Sequence, residues 1–312
     1  HEYLRTYGSL KDQDKPLVVS GILLALDDKF FKPDDLLGDE TTTDGQLIYD
    51  AIQRRLKASN VGPDVKRDKL MSEFSIIRTS ARLNEIDTKL GKTPLKFYTE
   101  FLKKNVFDNI KYRSSSEDFI GRFYGEFMSY SGGDGQTLGI VLTPRHICDL
   151  FCNLLDIQAT DIVLDPCCGT AGFLVAAMHH MLEKAGADQN KRKNIKKKQL
   201  HGFELQSNMF AIAATNMILR DDGNSNIKCE DFLRQNPAQV QLKGATVGMM
   251  NPPYSQGTKA DPSQYELSFV EHLLDSLTEG ARAAVIVPQS SMTGKTKDEQ
   301  NFKENILKHH TL

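Results

Sequence analysis

Two kinds of hydrophobic pattern divide the sequence. Up to about residue 130, apolar residues recur at the spacing of helices, and Gly91 fits a helix C-cap. The stripes are Ile22, Leu23 and Leu26; Leu47, Ile48, Ala51 and Ile52; Leu83, Ile86 and Leu90; and Phe119, Phe123, Phe127 and Tyr130. This pattern predicts a helical domain over residues 1–130, with the aromatic stripe in its core. The glycine-rich Ser131–Gly135 predicts the joint to the next domain.

Beyond residue 131, short apolar runs alternate with helical stripes. An alternation of strands and helices is typical of a parallel, doubly wound sheet, so we predict a Rossmann-like α/β domain over residues 131–312. The predicted strands are Ile162–Leu164, Leu200–Glu204, Ile227–Glu230, Thr246–Met250 and Ala283–Val287. Between the first two strands, residues 186–198 carry six lysines and arginines, which predict a solvated loop, with a DNA-phosphate contact as the alternative.

The tetrapeptide Asn251-Pro252-Pro253-Tyr254 directly follows a predicted strand. It therefore lies where open α/β sheets bind their ligands, at the carboxyl end of a strand. The Asn251 amide oxygen and the Pro252 carbonyl are neutral acceptors, which suit an exocyclic amine that must become electron-rich enough to attack. Tyr254 offers a flat face for stacking a planar base, a contact of about 1–3 kcal/mol. A proline-rich turn beside a core tyrosine is the alternative.

A second candidate segment, Asp165–Phe173, joins the first strand to a helix. Gly169 and Gly172 let the backbone approach a ligand closely, and the helix N-terminus offers free N–H groups. The segment matches neither the glycine fingerprint of dinucleotide-binding folds nor a phosphate loop. An acidic residue before a glycine-rich turn better suits a cofactor that carries an amino-acid group. An ordinary tight turn is the alternative.

Three further polar residues are candidates for ligand contacts: one lies before the first predicted strand, one ends the second, and one follows the third. Glu204 ends the second strand, where a carboxylate can accept from both hydroxyls of a ribose. Asp231 follows the third strand, where an acceptor suits the amine of an adenine ring, and Phe232 can pack against the ring face. Upstream, Thr143 fits a helix N-cap, with Pro144 in the first helical turn.

Composition narrows the classes of function. The 312 residues carry a formal net charge of −2, so binding to nucleic acid requires a local basic patch. No apolar run approaches the roughly 18 residues of a membrane span, and no signal peptide is visible, so no membrane partner is expected. Five cysteines without a CxxC pair indicate reduced thiols in a cytoplasmic protein.

Taken together, these segments resemble the N6-adenine DNA methyltransferases, most closely the modification subunit of type I restriction-modification systems. The cofactor segment precedes the catalytic one, as in the γ arrangement of that family. The resemblance implies a catalytic tetrapeptide of Asn251, Pro252, Pro253 and Tyr254. It implies contacts to S-adenosylmethionine from Thr143, Asp165, Cys168, Gly169, Thr170, Gly172, Phe173, Glu204, Asp231 and Phe232.

The implied activity is methyl transfer from S-adenosylmethionine to the N6 amine of adenine in DNA, with no metal needed. The implied partners are DNA, a specificity subunit and a restriction subunit. Pro166-Cys167 also resembles the nucleophile of cytosine-C5 methyltransferases, but its position in a strand-to-helix turn argues against that role.

The sequence departs from the family pattern at one end. It stops a short helix after the fifth predicted strand, so we expect the C-terminal part of the sheet and a recognition domain to lie outside it. Two other functions stay open at this point. One is S-adenosylmethionine-dependent methylation of a protein glutamine, whose amide presents a geometry similar to that of the adenine amine. The other is a non-catalytic subunit that binds DNA or a partner.

Overall fold

The computed structural model describes residues 2–109, 142–222, 226–254, 265–294 and 296–311. The chain divides into two compact units, His1–Gly133 with Ser207–Ser225 and Asp134–Gln206 with Asn226–Leu312. The predicted aromatic stripe, the Ser131–Gly135 joint and the predicted boundary between residues 130 and 131 lie outside the described residues, and they stay predictions.

The described helices and strands are numbered here in chain order. The helices are α1 (Glu2–Thr6), α2 (Lys15–Leu26), α3 (Asp44–Ala58), α4 (Asp64–Glu73), α5 (Ser75–Thr79), α6 (Ala81–Asn84), α7 (Pro94–Leu102), α8 (Arg145–Leu154), α9 (Gly172–Ala185), α10 (Gln189–Lys198), α11 (Ser207–Ile218), α12 (Pro237–Gln241), α13 (Glu266–Asp275), α14 (Gln289–Thr293) and α15 (Lys297–His309). The strands are β1 (Val163–Asp165), β2 (Leu200–Phe203), β3 (Asn226–Lys228), β4 (Val247–Met250) and β5 (Arg282–Val285). No helix in these ranges is both long and apolar enough to span a bilayer.

The first unit is helical and is built around α2 and α11. Every residue of α2 from Lys15 to Ala25 is buried, and so is every residue of α11 from Met209 to Ile218. A helix that is apolar all round belongs in the interior of a domain. Accordingly, α2 packs against α3, α7 and α11. The predicted helical stripe of Ile22 and Leu23 is therefore part of a helix buried on all sides.

The predicted helix over Leu83–Leu90 is wrong beyond its first residues. Helix α6 ends at Asn84, and Ile86 is exposed. The Asp87 carboxylate accepts hydrogen bonds from the backbone N–H groups of Lys89 and Leu90, at 2.9 and 3.2 Å. Such a local side-chain bond competes with helix formation and favours a turn. Gly91, at φ +64°, serves this turn rather than a helix C-cap.

The second unit contains a parallel five-stranded sheet of order β3-β2-β1-β4-β5. β1 pairs with β2 (Asp165 opposite Gly202) and with β4 (Val163 opposite Val247). All five strands were predicted, with ends that differ from the observed ones by at most two residues. The predicted α/β class with a parallel sheet is confirmed.

Helices cover both faces of this sheet. On one face, Gly202 of β2 lies against Leu174 of α9. On the other face, Gly248 of β4 lies against Leu273 of α13, within an apolar cluster that extends to Ile306 of α15. The central strands β1 and β4 are buried along their whole length, as expected for parallel strands covered on both faces. This is the doubly wound arrangement.

The predicted solvated loop within residues 186–198 is also wrong, because this segment forms α10. The Asp188 carboxylate caps the helix, accepting from the N–H groups of Asn190 and Lys191 at 3.0 and 3.1 Å. Lysine, arginine and glutamine are good helix formers, and Ile195 supplies one fully buried contact. The prediction gave too much weight to the density of charge and missed the cap.

We expect Asp188→Ala to lower the free energy of unfolding by about 1 kcal/mol, because two helix N–H groups lose their acceptor. Urea unfolding of the wild type and the variant measures this difference. Asp188→Asn keeps an acceptor oxygen and is the matched control. Equal stability of the alanine and asparagine variants would show that the cap is not what holds this basic helix.

Candidate active site

Four strands of the sheet end in polar residues at one edge. Asp165 is the last residue of β1, Glu204 follows β2, Asp231 lies three residues beyond β3, and Asn251 follows β4. The carboxyl ends of parallel strands point the same way, so the sheet brings these residues to its carboxyl edge. β1 and β4 are adjacent although they are first and fourth in the chain. Such a switch in strand order is where open α/β sheets form their ligand crevices.

The segment after β1 is a tight turn with two left-handed residues. Gly169 has φ +51°, and Ala171, at the N-cap of α9, has φ +69°. The Cys168 N–H donates to the Phe203 carbonyl at 2.9 Å. The Gly169 N–H donates to Glu204 Oε2 at 3.0 Å. The turn is therefore held against the end of β2 by two hydrogen bonds.

Glu204 supports this turn and retains acceptor capacity for a ligand. Its other oxygen, Oε1, accepts from the Gln206 N–H at 2.8 Å. Each carboxylate oxygen has a further lone pair, so both oxygens can still accept from a hydroxyl. Burial raises the pKa of Glu204, although the bonds from Gln206 and Gly169 oppose the rise. The predicted ribose acceptor is thus also a structural anchor of the turn.

Asp165, the last residue of β1, is a buried carboxyl directly before this turn. Its side chain is 1% exposed, and Oδ1 accepts from the Cys167 N–H at 3.2 Å. Burial raises the pKa of Asp165 to about 8, with the Cys167 bond lowering it and the nearby Glu204 raising it further. At neutral pH this carboxyl is largely protonated, and a cation placed beside it would favour the ionised form.

The two cysteines of the turn are poor nucleophiles. Burial raises the pKa of the Cys167 and Cys168 thiols well above the ordinary value, and the Asp165 and Glu204 carboxyls add to the rise. Nucleophilic cysteines need the thiolate form, which a neighbouring positive charge normally stabilises. The chemistry of these thiols therefore argues against a cysteine mechanism, in line with the sequence analysis.

Two of the predicted aromatic contacts lie in the core. Phe173 is 3% exposed and stacks on Phe151, with ring centroids 5.1 Å apart. Phe232 is likewise 3% exposed and lies 5.5 Å from the Phe203 ring and 4.6 Å, edge-on, from His272. Both rings are therefore part of the hydrophobic core, and their predicted contacts to a cofactor stay predictions. Thr170 is also buried.

Asp231 begins a short 3-10 helix, Phe232–Arg234. Its Oδ1 accepts from the Leu233 N–H at 3.0 Å, and its other oxygen lies 3.3 Å from the Arg234 Nε. The carboxylate is about 29% exposed, so it keeps access to solvent at the carboxyl edge. Its position suits the predicted contact to an adenine amine, which stays a prediction.

The tetrapeptide after β4 forms a hydrogen-bonded group with Thr143. Asn251 Nδ2 donates to Thr143 Oγ1 at 3.0 Å, and the Tyr254 hydroxyl donates to Asn251 Oδ1 at 2.5 Å. Pro252 is buried and Tyr254 is half-buried. Burial raises the pKa of Tyr254, and the nearby Glu266 raises it further, so its hydroxyl stays protonated at neutral pH and can donate.

Thr143 does not have the role of a helix cap that its sequence suggested. Helix α8 begins at Arg145, Pro144 occupies the N-cap position, and no side chain caps the helix. The Thr143 hydroxyl instead accepts from Asn251, 108 residues later in the chain. Sequence reasoning missed this contact because a cap signal is local, whereas the partner of Thr143 is brought in by the pairing of β1 with β4.

A family model described as N-6 DNA Methylase matches residues 115–312. A relative from Heyndrickxia coagulans, named "Type II restriction enzyme and methyltransferase RM.BcgI", is 42% identical over 316 residues, which cover 100% of this chain and 49% of the relative. The "Type I restriction enzyme EcoEI methylase subunit" of Escherichia coli is 25% identical over 221 residues, which cover 66% of this chain and 44% of that subunit.

A solved structure has a similar fold. It is a modification subunit of a putative type I restriction enzyme from Vibrio vulnificus YJ016, with a TM-score of 0.63 at 20% identity, covering 98% of this chain and 72% of that one. At this identity the likeness concerns the fold alone. The chain spans about half the length of the curated relatives that it matches.

Two glycines of the sheet give a matched pair of variants that test the predicted cofactor contact of the Asp165–Phe173 turn. A β-carbon on Gly202 would lie 3.1 Å from Cys168 Sγ and 3.1 Å from Leu174, whereas one on Gly248 would lie 3.0 Å from Leu277 and 3.1 Å from Leu273. Gly202→Ala therefore pushes on the turn itself, and Gly248→Ala pushes on the opposite face.

We expect Gly202→Ala to weaken binding of S-adenosylmethionine several-fold more than Gly248→Ala does, because close packing leaves the turn no room to keep its position. Titration calorimetry on both variants measures the difference in affinity. The melting temperature of each variant shows whether it is folded. An equal loss of affinity in the two variants would mean that the turn is not the cofactor contact.

Proposed function

The chain belongs to the N-6 DNA methylase family, and from that premise we propose that it transfers a methyl group from S-adenosylmethionine to the N6 amine of adenine in DNA. The observation that carries the proposal is the Asn251–Tyr254 group at the end of β4, beside the strand β1 that ends in the buried Asp165. The hydrogen-bond acceptors for an amine, in the Asn251–Tyr254 group, thus follow a strand adjacent to the one that ends in Asp165. The Asp165 carboxyl suits a cationic cofactor.

The residues present fit S-adenosylmethionine. Burial raises the pKa of the Asp165 carboxyl, and the cofactor's cationic amino-acid end beside it would favour the ionised form. Glu204 keeps lone pairs for the ribose hydroxyls, and Asp231 is a solvent-accessible acceptor for the adenine amine. Gly169, Gly172, Cys168 and Thr170 would form the turn around it. When bound, the cofactor supplies an electrophilic methyl group.

The remaining chemistry is done by this chain. A target adenine must leave the duplex, at a cost of a few kcal/mol, before its amine is accessible. Tyr254 would stack on the extruded base, and the Asn251 oxygen with the Pro252 carbonyl would accept from the amine and direct its lone pair. Pro253 would hold the turn that aims these acceptors. Positioning of this kind supplies much of the acceleration in reactions between two bound groups.

We further propose that the chain works with DNA, a specificity subunit and a restriction subunit. The relatives support two arrangements of the methylation and restriction functions. The Escherichia coli relative is named as a methylase subunit, and the Heyndrickxia coagulans relative is named as both a restriction enzyme and a methyltransferase. This chain matches about half of each, so the methylation module is common to both. Purification of the native protein distinguishes the two arrangements. Nuclease activity co-purifies with this polypeptide if one chain carries both functions, and it belongs to a second polypeptide if the chain is a methylase subunit.

The raised pKa of Asp165 predicts that cofactor binding depends on pH. A cation beside Asp165 lowers its pKa, so binding below about pH 8 releases a proton, and the affinity for S-adenosylmethionine increases as pH rises towards about 8. The increase is at most about tenfold per pH unit for one proton. Calorimetry in buffers of different ionisation enthalpy measures the released protons.

Asp165→Asn keeps the side-chain shape and an acceptor but cannot ionise. We expect its affinity to be lower and its pH dependence to be flatter between about pH 6 and 8. A wild-type affinity that does not change with pH would remove Asp165 from contact with the cofactor's charge.

The proposed reaction is tested by methyl transfer from radiolabelled S-adenosylmethionine, with duplex DNA and a glutamine-bearing protein as competing acceptors. The full-length protein is used with its specificity component. We expect label on DNA, at adenine N6. Label on protein would support glutamine methylation instead, and cofactor binding without transfer to either acceptor would support a non-catalytic subunit.

In the same assay, Asn251→Ala should lower the rate about 10²–10³-fold with cofactor binding intact, as for the loss of one preorganised polar contact at a reacting centre. Tyr254→Phe should be milder than Tyr254→Ala because the ring face survives. Full activity of the Asn251→Ala protein would reduce the tetrapeptide to a structural turn.

A further inference from the structure

The carboxamide of Asn251 is held at both of its polar atoms. Its nitrogen donates to the Thr143 hydroxyl at 3.0 Å, and its oxygen accepts from the Tyr254 hydroxyl at 2.5 Å. A carboxamide can turn by 180° at little torsional cost, since the last torsion of asparagine is broad. The two bonds are not equivalent in their consequences, because only the oxygen is of use to an amine that must become electron-rich.

The hydrogen bond to Thr143 and the one to Tyr254 also differ in whether they can remain when a base binds. Stacking on a captured base needs the Tyr254 ring, and an amine approaching Asn251 Oδ1 competes with the Tyr254 hydroxyl for the same acceptor. Thr143 precedes helix α8, whose first turn is fixed by the Cys148 N–H, which donates to the Pro144 carbonyl at 3.2 Å. The contact on the nitrogen side can therefore persist while the oxygen exchanges the Tyr254 hydroxyl for the target amine.

We propose that Thr143 is a positioning residue for catalysis: its hydroxyl holds the Asn251 amide nitrogen, so that the amide oxygen faces the target amine. This rests on the proposed methyl transfer. A hydroxyl has one proton to donate and lone pairs to accept. Having accepted from Asn251, Thr143 keeps its proton for another acceptor, so its predicted contact with the cofactor and its hold on Asn251 are compatible.

The reversed carboxamide explains why this hold matters. If the amide turned over, its –NH₂ group would face the amine of the base, and two donors would meet with no acceptor between them. Losing a hydrogen bond and leaving polar groups unpaired in a partly buried site is costly. Once the Thr143 hydroxyl donates its proton to the cofactor that it is predicted to contact, it can only accept, so the reversed amide would face it with an oxygen and lose the bond. The oxygen is thereby presented before the base arrives.

The test uses the full-length protein with its specificity component and a cognate duplex, under single-turnover conditions with saturating S-adenosylmethionine and DNA. Thr143→Val has nearly the same shape but no hydroxyl, and Thr143→Ser restores the hydroxyl. We expect Thr143→Val to slow methylation about tenfold and Thr143→Ser to recover most of that rate, the size of effect of one lost hydrogen bond at a reacting centre. Melting temperatures confirm that both variants are folded.

A double-mutant cycle identifies the partner of the hydroxyl. Asn251→Ser keeps a hydroxyl as acceptor but has no amide nitrogen for Thr143 to hold. In that background, Thr143→Val should cause less than about a twofold further loss, because the contact is already absent. The same tenfold loss in both backgrounds would overturn the proposal and leave Thr143 as a cofactor contact only.

The remaining outcomes are also decisive. Equal rates for the wild type and Thr143→Val, or equal losses for the serine and valine variants, would overturn the positioning role while leaving the methyl transfer of the wild type intact. A wild-type protein that binds S-adenosylmethionine but does not methylate adenine would instead overturn the proposed function. The failures of the two proposals are thus distinguishable.

Discussion

The site depends on the parallel pairing of β1 between β2 and β4. This pairing sets Asp165 opposite Gly202 and Val163 opposite Val247. It brings to one edge four chain segments that are separated by up to about a hundred residues. The hydrogen bond from Gly169 to Glu204 and the one from Asn251 to Thr143 can form only because these strands run in the same direction and end together. A shift of one residue in register would turn the side chains of a strand to the opposite face.

The buried carboxyls at the carboxyl edge of the sheet lower the stability of the fold. Asp165 is a carboxyl almost without solvent contact, and burial raises the pKa of both Asp165 and Glu204. Burying such groups without a cation is unfavourable, and proteins tend to tolerate it at functional sites. The apolar strands and the helices on both faces provide the stability that lets the edge remain polar. The same turn holds Ala171, a non-glycine residue in the left-handed region, which adds backbone strain there.

Sequence patterns predicted much of the fold and less of the site. Strands β1 and β4 were predictable because each is a short apolar run buried on both faces, whereas β3 and β5 at the edges of the sheet are less buried. The strand ends then located Glu204 and Asn251. Local polar chemistry was harder to anticipate: the Asp87 turn replaced a predicted helix, and the Asp188 cap made a helix of a segment whose charge suggested a loop. Both errors arose where one side chain bonds to the nearby backbone, which hydrophobic periodicity does not record.

The long-range contacts of the proposed site were the least visible in the sequence. Thr143 looked like a helix cap, whereas its hydroxyl accepts from Asn251. Phe173 and Phe232 are packed against other aromatic rings, and their predicted contacts to the cofactor stay predictions. A motif identifies which residues meet at an edge, but the orientation of a side chain is decided by partners distant in sequence. For the Asn251 carboxamide, orientation decides which end donates and which end accepts. The Thr143 and Tyr254 hydroxyls bond to these two ends, through hydrogen bonds that exist only once the sheet has formed.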